Sequence, residues 1–492
     1  MTFIHGFTSQ DIQKASVIGI PQEELISQLS ILRKGLTPTK AIRPCQIGDG
    51  LLSLSEDEIR DMIDRFNQVQ PLGRFSKMVP ASGAATRMFK FVFNVANGDD
   101  MDSKEFLYLM ANIEAFPFYD ELKANTSPQL PQGLKPQELA NMILYNLGFG
   151  SMPKAFIPFH KYSSHISTAL DEHFKDSKLF LKDKNGNISL HFTIDPEFVD
   201  AFKERILKHM GDKDSHFRIS HSIQKPATQT IAINQNGEAV RTESGELLLR
   251  PGGHGSLLIN LQELSGDIVF LQNIDNVGRE EDHLKRVQYK KILGGLLVSI
   301  ENQIADYLEK LNSGKYDLNE IWAFTKKYLG TAPSSDILND SKEDQVSLIR
   351  GIFHRPIRVC GMVKNKGEPG GGPFWTKGQF QTCQILEKAQ LDLNDPEQLE
   401  ILDSATHFNP VDLVCGLRDL KGEPFDLSEF KDLDTCFISQ KSFNGETISV
   451  LEHPGLWNGA MAHWNTAFVE VPLFTFTPVK TANDLLRETH QP

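Results

Sequence analysis

The segment 74–95 constrains this chain more than any other. Arg74-Phe-Ser-Lys-Met-Val-Pro80 is short and apolar enough for a strand. Ala81-Ser-Gly-Ala-Ala-Thr-Arg87 is a run of small residues, and 88–95 takes up a helical pattern. Strand, small-residue loop and helix together are the layout of a phosphate-binding turn in an α/β sheet. The loop lacks Gly-Lys-Ser/Thr, so it is not a Walker P-loop. A plain strand–helix turn would use the same small residues, and the local pattern leaves both readings open.

Strands and helices alternate along the chain, which predicts an α/β class with a mixed, mostly parallel sheet flanked by helices. Residues 1–70 read as a helical segment. Ser55 and Glu58 form a capping box there, and Ile59, Met62, Ile63 and Phe66 share one helix face. Residues 71–330 read as the core, with a mostly helical insertion at 99–150. Residues 331–492 read as the remainder of the same catalytic domain. Strands are expected at 187–193 and 267–271, and strands with a hairpin within 217–249. Helices are expected at 196–210, 256–264 and 281–311, and a last strand-like run at 467–479.

Composition narrows the function classes. The chain has 492 residues, 40% of them apolar and 23% charged, enough to bury a sizeable core. It carries 51 Lys+Arg against 64 Asp+Glu, a net −13, which argues against a dedicated nucleic-acid binder but not against a small anionic ligand. Five cysteines without a Cys-x-x-Cys pair point to a reducing compartment. The N-terminus has no signal-peptide pattern, and the apolar run 292–300 is too short to span a bilayer. The expectation is a soluble, cytoplasmic protein with no membrane partner. Its oligomeric state is left open.

Four pieces carry possible chemistry. In the loop 81–87, small side chains let backbone N–H groups approach an anion, and Arg87 could contact phosphate in bidentate fashion. Lys154 follows Pro153, and alone would read as a solvated lysine. Arg250-Pro-Gly-Gly-His-Gly255 precedes a helix, a strand and Asn273-Ile-Asp275-Asn276. An aspartate at the end of a buried strand suits Mg²⁺, and equally suits a helix cap or turn. Lys480 follows the last strand-like run and could meet phosphate as a point charge.

The four pieces stand in the order found in nucleotide-diphosphate-sugar pyrophosphorylases. Residues 79–88 resemble the nucleotide loop L-x-x-G-x-G-T-R-M of sugar nucleotidylyltransferases. Pro153-Lys-Ala-Phe-Ile-Pro158 resembles their lysine segment P-K-x-L-x-P. Gly253-His-Gly255 and Phe270-Leu-Gln-Asn-Ile-Asp-Asn-Val-Gly278 are similar to the G-H-G and F-x-x-N-x-D-N-L-G segments of UDP-glucose pyrophosphorylases. Pro478-Val-Lys-Thr-Ala-Asn-Asp-Leu-Leu486 is similar to their P-V-K-x-x-x-D-L-L segment. The set, spanning 79–486, also resembles an uncharacterised bacterial family that carries the same motifs.

The resemblance implies a glycosyltransferase-A-like, Rossmann-related core and a Mg²⁺-dependent sugar-1-phosphate nucleotidylyltransferase. It places the nucleotide on Ala81, Ser82, Gly83, Ala84, Ala85 and Thr86, on Gly253, His254 and Gly255, and on Gln224 at the base. It gives catalytic charge stabilisation to Arg87, Lys154 and Lys480, and Mg²⁺ to Asp275. Glu368, Gly371 and Asn458 would lie near the sugar. Ala85 stands where the second loop glycine is usual, and Ser256 where the glucose enzymes have aspartate. Two further readings therefore remain: transfer to a non-sugar phosphate, or a nucleotide-sugar-binding protein without turnover.

Other features have structural readings. The charge run Arg279-Glu-Glu-Asp-His283 is expected to be a solvated helix start. His407, Asn409 and Asp412 are expected in the core with satisfied hydrogen bonds, although a place near the site is the alternative. His463-Trp464 is expected to be structural, and Cys360 and Cys415 to be buried small hydrophobes.

Overall fold

A strand buried on both faces needs an almost continuous apolar run, and such runs become sheet neighbours here. Phe75–Pro80 lies between Asn187–Thr193 and Ile268–Gln272, with His216–Ser222 beyond Asn187–Thr193. Phe75–Pro80 and His216–Ser222 each pair with Asn187–Thr193 in parallel. The computed structural model describes all residues except 1, 2, 5, 126–132, 211–215 and 369. The chain forms two compact units. The first comprises Met1–Asp61, Gln224–Val269 and Leu296–Glu470; the second comprises Met62–Ile223, Phe270–Gly295 and Val471–Pro492.

Aromatic packing builds the core of the second unit. Phe66 stacks on Phe75 with ring centroids 4.3 Å apart, and Phe180 meets Phe270 edge-on at 5.0 Å. The long helix His283–Ser313 begins in this unit. A Cβ at its Gly294 would stand 2.8 Å from the Phe66 ring, and one at Gly295 only 1.8 Å from the Met62 carbonyl oxygen. The two glycines in the apolar run 292–300 thus allow close helix packing. Among the described residues no helix is long and apolar enough to cross a membrane.

In the first unit Gly50–Leu52, Asn465–Glu470 and Ile357–Lys364 run parallel, and Asp412–Gly416 joins Ile357–Lys364 antiparallel. Ala41–Pro44, Gly372–Lys377, Gln381–Leu386 and Thr331–Ala332 make a four-stranded antiparallel sheet. Leu249–Arg250, Thr230–Ile233, Glu446–Glu452 and Phe437–Phe443 make another. The class is the expected one, mixed α/β with mainly parallel central strands and helices.

Three expectations need correction. The first seventy residues hold the helices Ser9–Val17, Gln22–Lys34 and Glu56–Val69, but also the strands Ala41–Pro44, Gln46–Ile47 and Gly50–Leu52. Strands of two to four residues are too short for a period-2 pattern; Ala41–Pro44 and Gly50–Leu52 are recruited by partners more than three hundred residues away, such as Phe374 and Phe468, and Gln46–Ile47 pairs with Gly50–Leu52 in turn. The last strand ends at Glu470 rather than running to 479, because Pro472 has no N–H to donate and Leu473–Thr475 forms a 3₁₀ turn. The charge run 279–283 is not wholly solvated: His283 is buried, 3.1 Å from the equally buried Glu172. The capping box is formed, with the Ser55 N–H donating to Glu58 Oε2 at 2.8 Å and the Glu58 N–H to Ser55 Oγ at 3.3 Å. The helical insertion includes Lys104–Ala111, Tyr119–Ala124 and Pro136–Asn141; its residues 126–132 lie outside the described ones.

Candidate functional site

In the second unit the loop, the lysine segment, the aspartate turn and the Pro-Val-Lys segment are hydrogen-bonded to one another. The Ala85 N–H donates to the Met152 carbonyl at 3.0 Å, and the Lys154 N–H to the Gly83 carbonyl at 3.2 Å. Lys154 then turns its ammonium to Asp275 Oδ2 at 2.9 Å and to the Val479 carbonyl at 3.0 Å. The Val479 N–H returns to the Asp275 carbonyl at 3.1 Å, and the Ala482 N–H reaches the Met88 carbonyl at 3.0 Å. Residues separated by up to 325 positions thus meet at one ammonium group. Lys154 and Asp275 keep 14% and 20% side-chain exposure, so the pair is open to a ligand.

The loop itself leaves donors over. The N–H groups of Ser82, Gly83, Ala84 and Thr86 have no hydrogen-bond partner among the described residues. Gly83, Ala84, Thr86 and Arg87 are exposed, and the Arg87 guanidinium has no ion pair or hydrogen bond among the described residues. Unpaired amides and an unpaired guanidinium on an exposed turn attract an anion. The expected helix dipole contributes less than the sequence implied. A 3₁₀ turn at Ala85–Arg87 intervenes, and the helix Lys90–Ala96 starts only at Lys90. Ala85, where a second glycine was expected, is fully buried and is not among the residues with positive φ. Alanine fits there without strain.

Lys480 is exposed, with its ammonium 5.6 Å from the centroid of the Phe476 ring. The aspartate of its motif has a structural role. Asp484 Oδ2 accepts the N–H groups of Lys480 and Thr481 at 2.8 and 2.6 Å, which fixes the backbone carrying the lysine. Asp275 is the one predicted metal ligand. Among the described residues no cluster of three or more His, Cys, Asp or Glu is arranged to hold a metal. Mg²⁺ commonly takes one or two carboxylates and completes its shell with phosphate oxygens and water, so a single accessible carboxylate fits that mode alone.

The remaining predicted residues lie in the first unit. A Cβ at Gly255 would stand 2.0 Å from the Pro454 carbonyl oxygen, and one at Gly252 would stand 2.4 Å from that of Thr228. Gly253 has φ +75°, open to glycine at little cost. His254 accepts the Leu456 N–H on Nδ1 at 3.0 Å and stacks on Trp457 with centroids 4.3 Å apart. The Gly-His-Gly segment therefore has a structural reason of its own: it receives the 453–457 turn. Gly255→Ala is expected to cost about 1–3 kcal/mol by overpacking; unchanged thermal melting would contradict that reason.

Asn458 is buried beside Gly371. Its Nδ2 donates to the Ile385 carbonyl at 3.1 Å, and its Oδ1 has no hydrogen-bond partner among the described residues. Gln224 likewise has a buried Nε2 without a partner. Glu368 Oε2 accepts the Lys366 N–H at 2.9 Å and so closes its own loop, of which Pro369 lies outside the described residues. His407 is buried against Thr406 Oγ1 at 2.8 Å and Glu470 at 3.4 Å. Cys360 and Cys415 are fully buried, and burial pushes their thiols up. The Val479 carbonyl and Trp457 escaped the sequence reading, although each is the immediate neighbour of a residue it named.

A family model described as Domain of unknown function (DUF4301) matches residues 8–491. No curated protein matches the sequence. Among solved structures, the uridine diphosphate N-acetylglucosamine pyrophosphorylase of Trypanosoma brucei is similar at 12% identity and TM-score 0.50, covering 99% of this chain and 84% of that one. The UDP-glucose pyrophosphorylase of Leishmania major aligns at 14% identity and TM-score 0.46, over 97% of this chain and 77% of that one. At these identities the likeness is one of fold.

Proposed function

This chain belongs to that family of unknown function, and we propose that it is a nucleotidylyltransferase joining a UTP-like nucleoside triphosphate to a sugar 1-phosphate with release of pyrophosphate. The observation that carries the reading is the junction at Lys154, where the small-residue loop, Asp275 and the Pro-Val-Lys segment meet. In the reaction an oxygen of the sugar phosphate bonds to the α-phosphorus. The bond from that phosphorus to the bridging oxygen breaks, and pyrophosphate leaves with the electron pair. No side chain needs to become a nucleophile. The protein must align two polyanions and offset their repulsion.

The free N–H groups of Ser82, Gly83, Ala84 and Thr86 would hold the triphosphate, with Arg87 on its outer phosphates. Lys154 would neutralise charge at the reacting phosphate, and Lys480 would add a second ammonium. Asp275 would hold Mg²⁺, which when bound supplies further charge neutralisation.

The test is pyrophosphate release by the full chain with Mg²⁺, across the common nucleoside triphosphates and a panel of sugar 1-phosphates and polyol phosphates. Turnover with one pair establishes the reaction and names the substrates. Silence across the panel together with tight nucleotide binding would replace it with a binding role. Gly83 offers a sharper check. A Cβ there meets nothing within 4 Å and its φ is ordinary, so the free chain does not need glycine. Gly83→Val is expected to leave thermal melting unchanged and to weaken nucleotide binding about tenfold or more, because its methyl groups stand where phosphate approaches the backbone. Equal binding by the variant would remove the loop from the site.

A further inference from the structure

A cavity of about 280 Å³ lies wholly within the first unit, between the hairpin that turns at 378–380 and the 432–463 region. Its charged lining is mostly cationic. Lys40, Arg355 and Lys377 line it, together with His463, against the single carboxylate of Asp432. Asp432 Oδ1 already accepts the Asp434 N–H at 3.0 Å. Lys40 has an exposed partner in Glu397 at 3.5 Å. The side chains of Arg355 and Lys377 have no hydrogen bond or ion pair among the described residues.

Arg355 is the informative residue. It is half-buried, with its guanidinium 5.8 Å from the centroid of the Phe380 ring. Burial lowers its pKa and no neighbouring group acts in the opposite direction. A guanidinium does not give up its proton in a protein, so the charge stays, and among the described residues only the Phe380 ring offsets its desolvation. An independent observation points the same way. Gln390 lines the same cavity and is 7% exposed. Its Oε1 accepts the Glu387 N–H at 2.9 Å, while its buried Nε2 has no partner. The groups left unsatisfied here are therefore donors: a guanidinium, an ammonium and an amide N–H. A compact anion with several acceptor oxygens satisfies all three together, and phosphate does so better than a monocarboxylate.

We infer that this cavity is a binding site for a small phosphate-bearing anion, held by Arg355, Lys377 and Gln390. It goes beyond the transferase reading and does not depend on turnover. The sequence offered no signal for it, since its lysines and arginine lie on separate, unremarkable segments.

The test is isothermal titration of inorganic phosphate into the full chain, with malonate run in parallel. The variants are Arg355→Gln, Lys377→Ala and Arg87→Gln, each checked by thermal melting. The expected result is phosphate binding by the natural chain and by the Arg87 variant. Affinity should fall about tenfold or more in Arg355→Gln, the loss of one charged hydrogen-bond partner. Lys377→Ala, an exposed position that does not threaten folding, should also weaken it, and malonate should bind less well. The inference is overturned if the natural chain takes up no phosphate. Undiminished binding by the Arg355 and Lys377 variants, or loss of all binding in Arg87→Gln, overturns it too. Tighter binding of malonate would overturn the choice of phosphate.

Discussion

Lys154→Ala is expected to slow nucleotidyl transfer about 10²–10³-fold, the scale of losing one preorganised charge stabiliser at a reacting oxygen. Two effects add in the same direction. The variant removes a cation that developing charge on the phosphates would meet. It also leaves Asp275, 2.9 Å from the missing ammonium, as an unpaired carboxylate facing a polyanion. The stability change is smaller. Both partners keep some exposure, so breaking the pair should cost about 1–2 kcal/mol, well short of a fully buried pair. Pyrophosphate release and thermal melting read the two effects separately.

Asp275→Asn completes the argument. It preserves shape and removes the charge that would hold Mg²⁺. Its loss of turnover should be comparable, and the double variant should lose less than the product of the two, since both act on one constellation. Near-normal turnover by Lys154→Ala would take the lysine out of the chemistry. Additive losses would mean that the pair does not act as a unit.

Glu172→Ala is expected to destabilise the protein by roughly 3–5 kcal/mol, the range for leaving buried charge and polar groups without their partner. Glu172 is fully buried in the second unit. His160 Nδ1 and His283 Nε2 each stand 3.1 Å from its carboxylate, the Tyr162 hydroxyl donates at 3.1 Å, and Lys175 lies at 3.4 Å. Burial alone would raise its pKa, but His160, His283 and Lys175 outweigh burial and hold the carboxyl far below the usual range. His160 in turn touches His490 at 2.8 Å, which ties the segment carrying Lys480 to Pro158–Lys161. Burial, with His160 and Arg286 beside it, lowers His490 to about 3.

The sign of the pH dependence follows. Glu172, His160 and His490 each have a folded pKa below the unfolded one, so for these groups the folded state binds fewer protons and stability falls with falling pH. His490 contributes fully above about 6.5 and loses its contribution as pH falls through about 3. Its total is roughly 5 kcal/mol at most. Glu172 adds to the slope below about 4.3, its ordinary value. Urea unfolding between neutral pH and pH 4 should show a decline beginning near pH 6.5. That upper part of the decline should flatten in His490→Gln. An unaltered profile in that variant, or a stable Glu172→Ala, would show that the network does not support the fold.

Much of the candidate site was legible in the linear order of residues. A turn of small residues between a strand and a helix is a local requirement, and the four segments around Lys154 were each recognisable from a few neighbouring side chains. The strand Asn187–Thr193 fell at its expected bounds because its apolar run is local information too. What failed depended on distant partners. The strands Ala41–Pro44 and Gly50–Leu52 owe their form to Phe374 and Phe468, and His283 reads as part of a charged, solvated run until Glu172 comes to lie beside it. The Gly-His-Gly segment reads as a ligand turn, yet its Gly255 clears the Pro454 carbonyl, as the preceding Gly252 clears that of Thr228.

The sequence by itself determined the α/β class and the order of strand, small-residue turn and helix across 75–96. Hydrophobic period, turn chemistry and side-chain charge are properties of a residue and its chain neighbours. Only the tertiary structure decided which charges are paired. Lys154 finds Asp275 across 121 positions, whereas Arg87 and Arg355 find no partner among the described residues. Coulomb energy and desolvation depend on distance and burial in space, and chain order specifies neither.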